Sequence, residues 1–169
     1  MRIVVSDTSC MIDLRKADLL EAVLRLPHTF VMPDTLFEDE WLCLSAAEKH
    51  ALGDLGLEVQ SLEGPLVERA GQYFNQHARL KLGDCFALTL AEKIGDCILL
   101  TGDGPLRGIA EGNGIEFHGV LWATDEMEAH GVVPLSELHA ALRLFYEDQL
   151  VFLPEAEVLR RIRRLARLL

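Results

Sequence analysis

The segment from Leu82 to Thr101 limits what this chain can fold into more than any other. It begins with a nearly continuous apolar helical pattern, Leu82 to Ile94, and ends in the short run Cys97-Ile98-Leu99-Leu100-Thr101. That run is bounded by Gly95 on one side and by Gly102 and Gly104 on the other, so it reads as a buried strand. Ala87, Leu88 and Ala91 lie three, four and seven residues after Asp84, which places this carboxylate on the core-facing stripe of the helix. A carboxylate buried without compensation costs several kcal/mol or shifts its pKa, so a cation, a metal or a good set of hydrogen bonds is expected beside it. Asp103 falls just beyond the carboxyl end of the strand.

The same alternation of strand and helix recurs along the chain. Strands are expected at residues 2–6, 29–32, 57–62, 97–101 and 115–119. Helical patterns follow Asp7-Thr8-Ser9, cover 17–26, open at Pro33-Asp34, and continue at 45–55, 65–77, 105–112, 121–130, 135–146 and 155–168. No tight hairpin signal interrupts them, which implies a mostly parallel sheet covered on both faces. With 169 residues, half of them hydrophobic, the chain suits one globular domain with a sizeable core. We assign that domain to residues 1–150, and residues 151–169 to a basic amphipathic helix packed on it or extending from it.

In a sheet of this kind, ligands gather outside the carboxyl ends of the strands, where the strand order reverses. Asp7 and Asp103 both leave strands at that edge, although Asp7 taken alone is as well explained as a helix N-cap. The run Glu38-Asp39-Glu40 adds a third source of acid. At α-helical spacing Glu40 has Leu36, Phe37, Cys43 and Leu44 around it and lies on the apolar face, with Asp39 the alternative and Glu38 the solvated position. Asp7, Glu40, Asp84 and Asp103 would then converge. Such crowding is tolerable only around divalent cations, and an oxygen-only ligand set points to Mg²⁺ or Mn²⁺ rather than zinc. The chemistry suited to that site is phosphodiester hydrolysis.

The formal charge of −11 excludes binding of nucleic acid by a broad basic surface, but not a metal-dependent nucleic-acid enzyme. Cys10, Cys43, Cys85 and Cys97 show no metal or disulfide spacing and read as reduced thiols. The histidines His28, His50, His77, His118, His130 and His139 are scattered, and no chemistry is assigned to them. No apolar run is long enough to span a bilayer and the first residues do not form a signal peptide, so a cytoplasmic protein without membrane partners is expected. Five of the sixteen basic residues crowd the last ten positions. That segment would dock on the acidic body, guide RNA, or bind a partner chain or a second copy in a homodimer.

Taken in order, the strand ending in Asp7-Thr8-Ser9, the segment Phe37-Glu38-Asp39-Glu40-Trp41, the helix start Gly83-Asp84, and Thr101-Gly102-Asp103 with Leu106-Arg107 resemble the motifs of PIN-domain nucleases. Many members of that family are the VapC-type toxins of bacterial toxin–antitoxin pairs. The resemblance covers about residues 1–120 and implies a PIN-like three-layer α/β/α fold with a central five-stranded sheet, extended here by extra C-terminal helices. It implies a metal-dependent endoribonuclease acting on RNA, with metal-ligand and catalytic roles for Asp7, Glu40, Asp84 and Asp103 and a supporting hydroxyl role for Thr8 or Thr101. Arg107 is a candidate phosphate contact, and a small antitoxin-like protein is the expected partner. The alternative is a non-catalytic PIN-like module that binds protein or RNA.

Overall fold

The computed structural model describes residues 1–41 and 44–169, with the side chain of Glu40 outside the description. Its sheet consists of β1 (Ile3–Ser6), β2 (Thr29–Pro33), β3 (Glu58–Gln60), β4 (Cys97–Leu100) and β5 (Glu116–His118). All pairings are parallel and the spatial order is β3-β2-β1-β4-β5. The central strands are aliphatic and buried because helices cover both faces of the sheet. The outer strands are only three residues long and begin with Glu58 and Glu116, a composition that blunts an open sheet edge.

The chain runs outward from β1 to β3 and then returns to place β4 on the other side of β1. The strand order therefore reverses between β1 and β4. Their register pairs Ser6 with Leu100, so Asp7 and Thr101 are the next residues on adjacent strands at the carboxyl edge. The ladder continues through both: the Asp7 N–H donates to the Leu100 carbonyl at 3.0 Å and the Thr101 N–H to the His118 carbonyl at 2.8 Å.

Helix α1 (Thr8–Lys16) starts directly after β1, and α2 (Leu20–Leu24) is shorter than its sequence pattern because Asp18 adopts a positive φ of 58° between them. Helices α3 (Ala46–Asp54) and α4 (Pro65–Gln76) lie on either side of β3 in the chain, and Ser45 and Glu48 form a capping box at the start of α3. Helix α5 (Leu82–Ile94) crosses β1, β2 and β4, with α4 packed on it. Ala87, Leu88 and Ala91 are completely buried, as the apolar stripe requires. Helix α6 (Gly104–Gly112) follows β4, and α7 (Val120–His130) packs with α1 and α2.

One expected helix opens where the sequence places it but takes another form. It starts at Asp34, directly after β2 ends at Pro33, and beyond Thr35 it widens into a π-helical turn (Leu36–Glu40). At this start the Asp34 carboxylate accepts the Thr35 N–H at 2.7 Å. The turn closes through the Trp41 N–H to the Leu36 carbonyl at 3.2 Å, five residues back, with Leu36 and Trp41 both in the core. The α-helical spacing used to orient Glu40 does not apply to this wider turn. Cys43, one of the residues expected around Glu40, lies outside the described residues.

At the C-terminus α8 (Leu135–Glu147) and α9 (Glu155–Ala166) pack against each other, with Val158 and Leu165 of α9 buried. The Arg161 guanidinium makes a two-point contact with Asp125 of α7 at 2.8 and 2.5 Å, and Arg164 pairs with Glu128. Part of the basic cluster is thus matched by acids of the same chain. Among the described residues no helix is long and apolar enough to cross a membrane.

Candidate active site

Asp7 is the N-cap of α1 and is only 3% exposed. Its Oδ1 accepts the Cys10 N–H at 3.0 Å, the Ser9 hydroxyl reaches its two oxygens at 2.9 and 3.0 Å, and the Thr101 hydroxyl donates a short bond to Oδ2. The cap and the proposed ligand are therefore one residue. Burial raises the Asp7 pKa even against these donors, and the charge of Asp103 pushes the same way.

Thr101 is fully buried and joins two motifs. It donates to Asp7 and accepts the Asp103 N–H at 3.1 Å. Asp103 caps α6 by accepting the Leu106 N–H at 2.8 Å. Asp84 sits in the first turn of α5, where its Oδ2 accepts the Lys81 N–H at 2.8 Å. Burial, followed by the charges of Asp103 and Asp7, pushes the Asp84 pKa up to about 6. Three acids from three elements thus share one electrostatic environment at the carboxyl edge. Among the described residues their oxygens do not form a set of three within 4.8 Å of one another.

The other expected site residues have different surroundings. Asp39 is exposed, and Glu38 pairs with Lys49 at 3.1 Å; the Glu40 side chain lies outside the described residues. The Thr8 hydroxyl is buried with no hydrogen-bond partner among the described residues, so Ser9 and Thr101 are the hydroxyls that touch Asp7. Arg107 turns inward: its Nε and Nη2 donate to the Thr101 carbonyl at 2.9 and 2.6 Å, and its guanidinium lies 5.9 Å from the centre of the Phe117 ring. A Cβ at position 119 would collide with Nη2, so Gly119 leaves room for this brace. The fifth acid, Asp13 on α1, had no signal in the sequence. Burial, opposed by Lys16 and reinforced by Asp7 and Asp148, pushes its pKa up to about 6.

The donor set fits a divalent cation. It is all oxygen, and burial opposes ionisation of its deepest member, Asp7, so a positive charge at this edge would be favoured. Mg²⁺ commonly keeps several waters and takes only one or two protein carboxylates, which suits the spacing of these acids.

A pH experiment isolates the Asp84 contribution. Because its folded pKa of about 6 lies above the ordinary 3.8, ionisation of Asp84 disfavours the metal-free fold. The penalty is absent below about pH 4, grows as the unfolded chain ionises first, and is constant above the folded pKa. Discounted for partial exposure, it amounts to about 1 kcal/mol. In chelator-treated protein, urea denaturation of Asp84→Asn against wild type should give curves that separate between pH 4 and 6 and stay parallel above. A difference that does not vary with pH would show that Asp84 titrates normally.

A parallel sheet whose strand order reverses beside gathered acids defines an α/β protein of the kind that binds ligands at the carboxyl edge. A family model described as PIN domain matches residues 3–167. The chain belongs to the PIN-domain family, whose members are generally nucleases and typically bind divalent metals. The matched region includes all of α9 and ends one residue beyond it. No curated protein matches the chain.

Proposed function

We propose that this protein is a metal-dependent endoribonuclease that hydrolyses RNA phosphodiester bonds at the edge formed by Asp7, Asp84 and Asp103, with Glu40 as a fourth ligand. The observation that carries this reading is the hydrogen-bonded chain from Asp7 through Thr101 to Asp103 at the switch point, with its buried carboxylate. A bound Mg²⁺ or Mn²⁺ supplies activation of water and neutralises charge on the phosphate and the departing oxygen. The chain's own residues prepare the site. Thr101, Ser9 and the Cys10 N–H fix both oxygens of Asp7, and the Leu106 N–H holds the Asp103 carboxylate, so both are oriented before substrate arrives. Arg107 holds the Thr101 carbonyl and so steadies the same loop.

Calorimetric titration of Mn²⁺ into wild type and Asp103→Asn, followed by cleavage of single-stranded RNA, tests the reading. Metal binding by the wild type and its loss in the variant, together with metal-dependent cleavage, is the expected result. Absence of binding in both at millimolar metal would favour a non-catalytic module. A toxin role would add a small antitoxin-like chain that blocks the acidic edge, and co-expression with the product of the adjacent reading frame tests that partner.

The acidic body leaves RNA few basic contacts outside the metal edge. Arg163 and Arg167 of the C-terminal segment are exposed and make no ion pair among the described residues. If they guide RNA, Arg163→Glu with Arg167→Glu should lower the slope of log affinity against log salt by about 1 to 2. An unchanged slope would remove this segment from the RNA path.

A further inference from the structure

We propose that His28, Glu126 and His130 form a second metal site, selective for zinc-class transition ions and separate from the acidic edge. Glu126 and His130 lie one turn apart on α7, and His28 immediately precedes β2. The Nε2 atoms of both histidines face the same Glu126 oxygen, Oε2, at 3.0 and 3.5 Å. One ligand atom from each residue falls within 4.8 Å of the other two, and no other such group occurs among the described residues.

The geometry is close to a coordination polyhedron. With metal–ligand bonds of 2.0–2.1 Å, neighbouring ligands of a tetrahedral zinc stand about 3.3 Å apart. Two of the three edges already have nearly that length. The third closes by rotation of the His130 side chain, which is 40% exposed. His28 is the fixed member. Its side chain is 9% exposed, and its ring stacks on Trp122 at 5.8 Å between centroids, with Phe30 at 6.4 Å. The Nδ1 of His28 is buried with no partner among the described residues, and Nε2 is the nitrogen that faces Glu126.

Two imidazoles and one carboxylate select Zn²⁺, Co²⁺ or Ni²⁺ over Mg²⁺ and leave a further position for water. The site is also remote from the acids. His28 stands at the amino end of β2, level with Arg2 in the β1–β2 register, whereas Asp7 follows the carboxyl end of β1, about 17 Å further along the strand direction. An ion here would tie the start of β2 to α7.

The test uses the full chain with millimolar Mg²⁺ present throughout. Zn²⁺ is titrated in competition with a chromophoric chelator, and Co²⁺ is followed by its visible absorption, in wild type, His130→Gln and Asp103→Asn. The expected result is one Zn²⁺ per chain and the intense absorption of tetrahedral Co²⁺. Affinity should fall at least about tenfold in His130→Gln and stay unchanged in Asp103→Asn. His130 is partly exposed, so its substitution leaves the fold intact, which circular dichroism verifies. Equal zinc affinity in His130→Gln and wild type, a loss that follows Asp103→Asn instead, or no stoichiometric binding would each overturn the proposal.

Discussion

Replacing Asp7 with asparagine is expected to lower RNA cleavage on the order of a thousandfold while the chain stays folded. Asparagine has the same shape, and its carbonyl oxygen can still accept the Cys10 N–H that caps α1. Its amide can donate to the Thr101 hydroxyl oxygen, which also accepts the Asp103 N–H, because a hydroxyl has two acceptor sites. The substitution removes a charge that burial and Asp103 both oppose. The metal-free variant should therefore be as stable as wild type, or more stable by up to about 1 kcal/mol. Cleavage assays, urea denaturation and Mn²⁺ calorimetry on the same preparations separate the two effects. Undiminished cleavage by Asp7→Asn would refute the assignment of this edge, and a collapse of the fold would mean that Asp7 serves only as a cap.

The sequence made Asp7, Asp84 and Asp103 legible because each is marked by a local pattern. Two follow apolar strands, and the third interrupts an apolar stripe at helical spacing. The register that brings Asp7 beside Thr101 is a property of β1 and β4 paired, more than ninety residues apart, so no local pattern could say which hydroxyl would touch which acid. That is why Thr8 was as good a candidate as Thr101, and why Ser9 was not singled out. The second motif was harder to read because periodicity arguments assume an α-helix, whereas a π-helical turn changes which residues share a face. For Arg107 the sequence supports a phosphate contact or an ordinary solvated surface residue, and neither reading places its guanidinium inward. The space its guanidinium occupies is left by the missing side chain of Gly119, twelve positions later. For the histidines, the spacing of Glu126 and His130 was visible but its third partner, His28, lies almost a hundred residues away.

Thr101→Val should damage both stability and metal binding, and Thr101→Ser should restore most of each. Valine fills nearly the same volume but removes a buried hydroxyl that donates to Asp7 and accepts from the Asp103 backbone. The Asp7 oxygen loses a charge-assisted bond and the Asp103 N–H loses its acceptor, a combined cost of about 2–4 kcal/mol. The Thr101 bond is also the largest of the influences that lower the Asp7 pKa, so its removal lets burial raise that pKa further. More of the site is then protonated at a given pH, and Mn²⁺ affinity should be weaker in the variant and recover as pH is raised. Serine keeps the hydroxyl and gives up one methyl group, about 1 kcal/mol. Urea denaturation and Mn²⁺ titration at two pH values read both quantities. If valine proved as stable as wild type and bound Mn²⁺ as tightly, Thr101 would be a packing residue and the coupling between the two aspartates would run through the backbone alone.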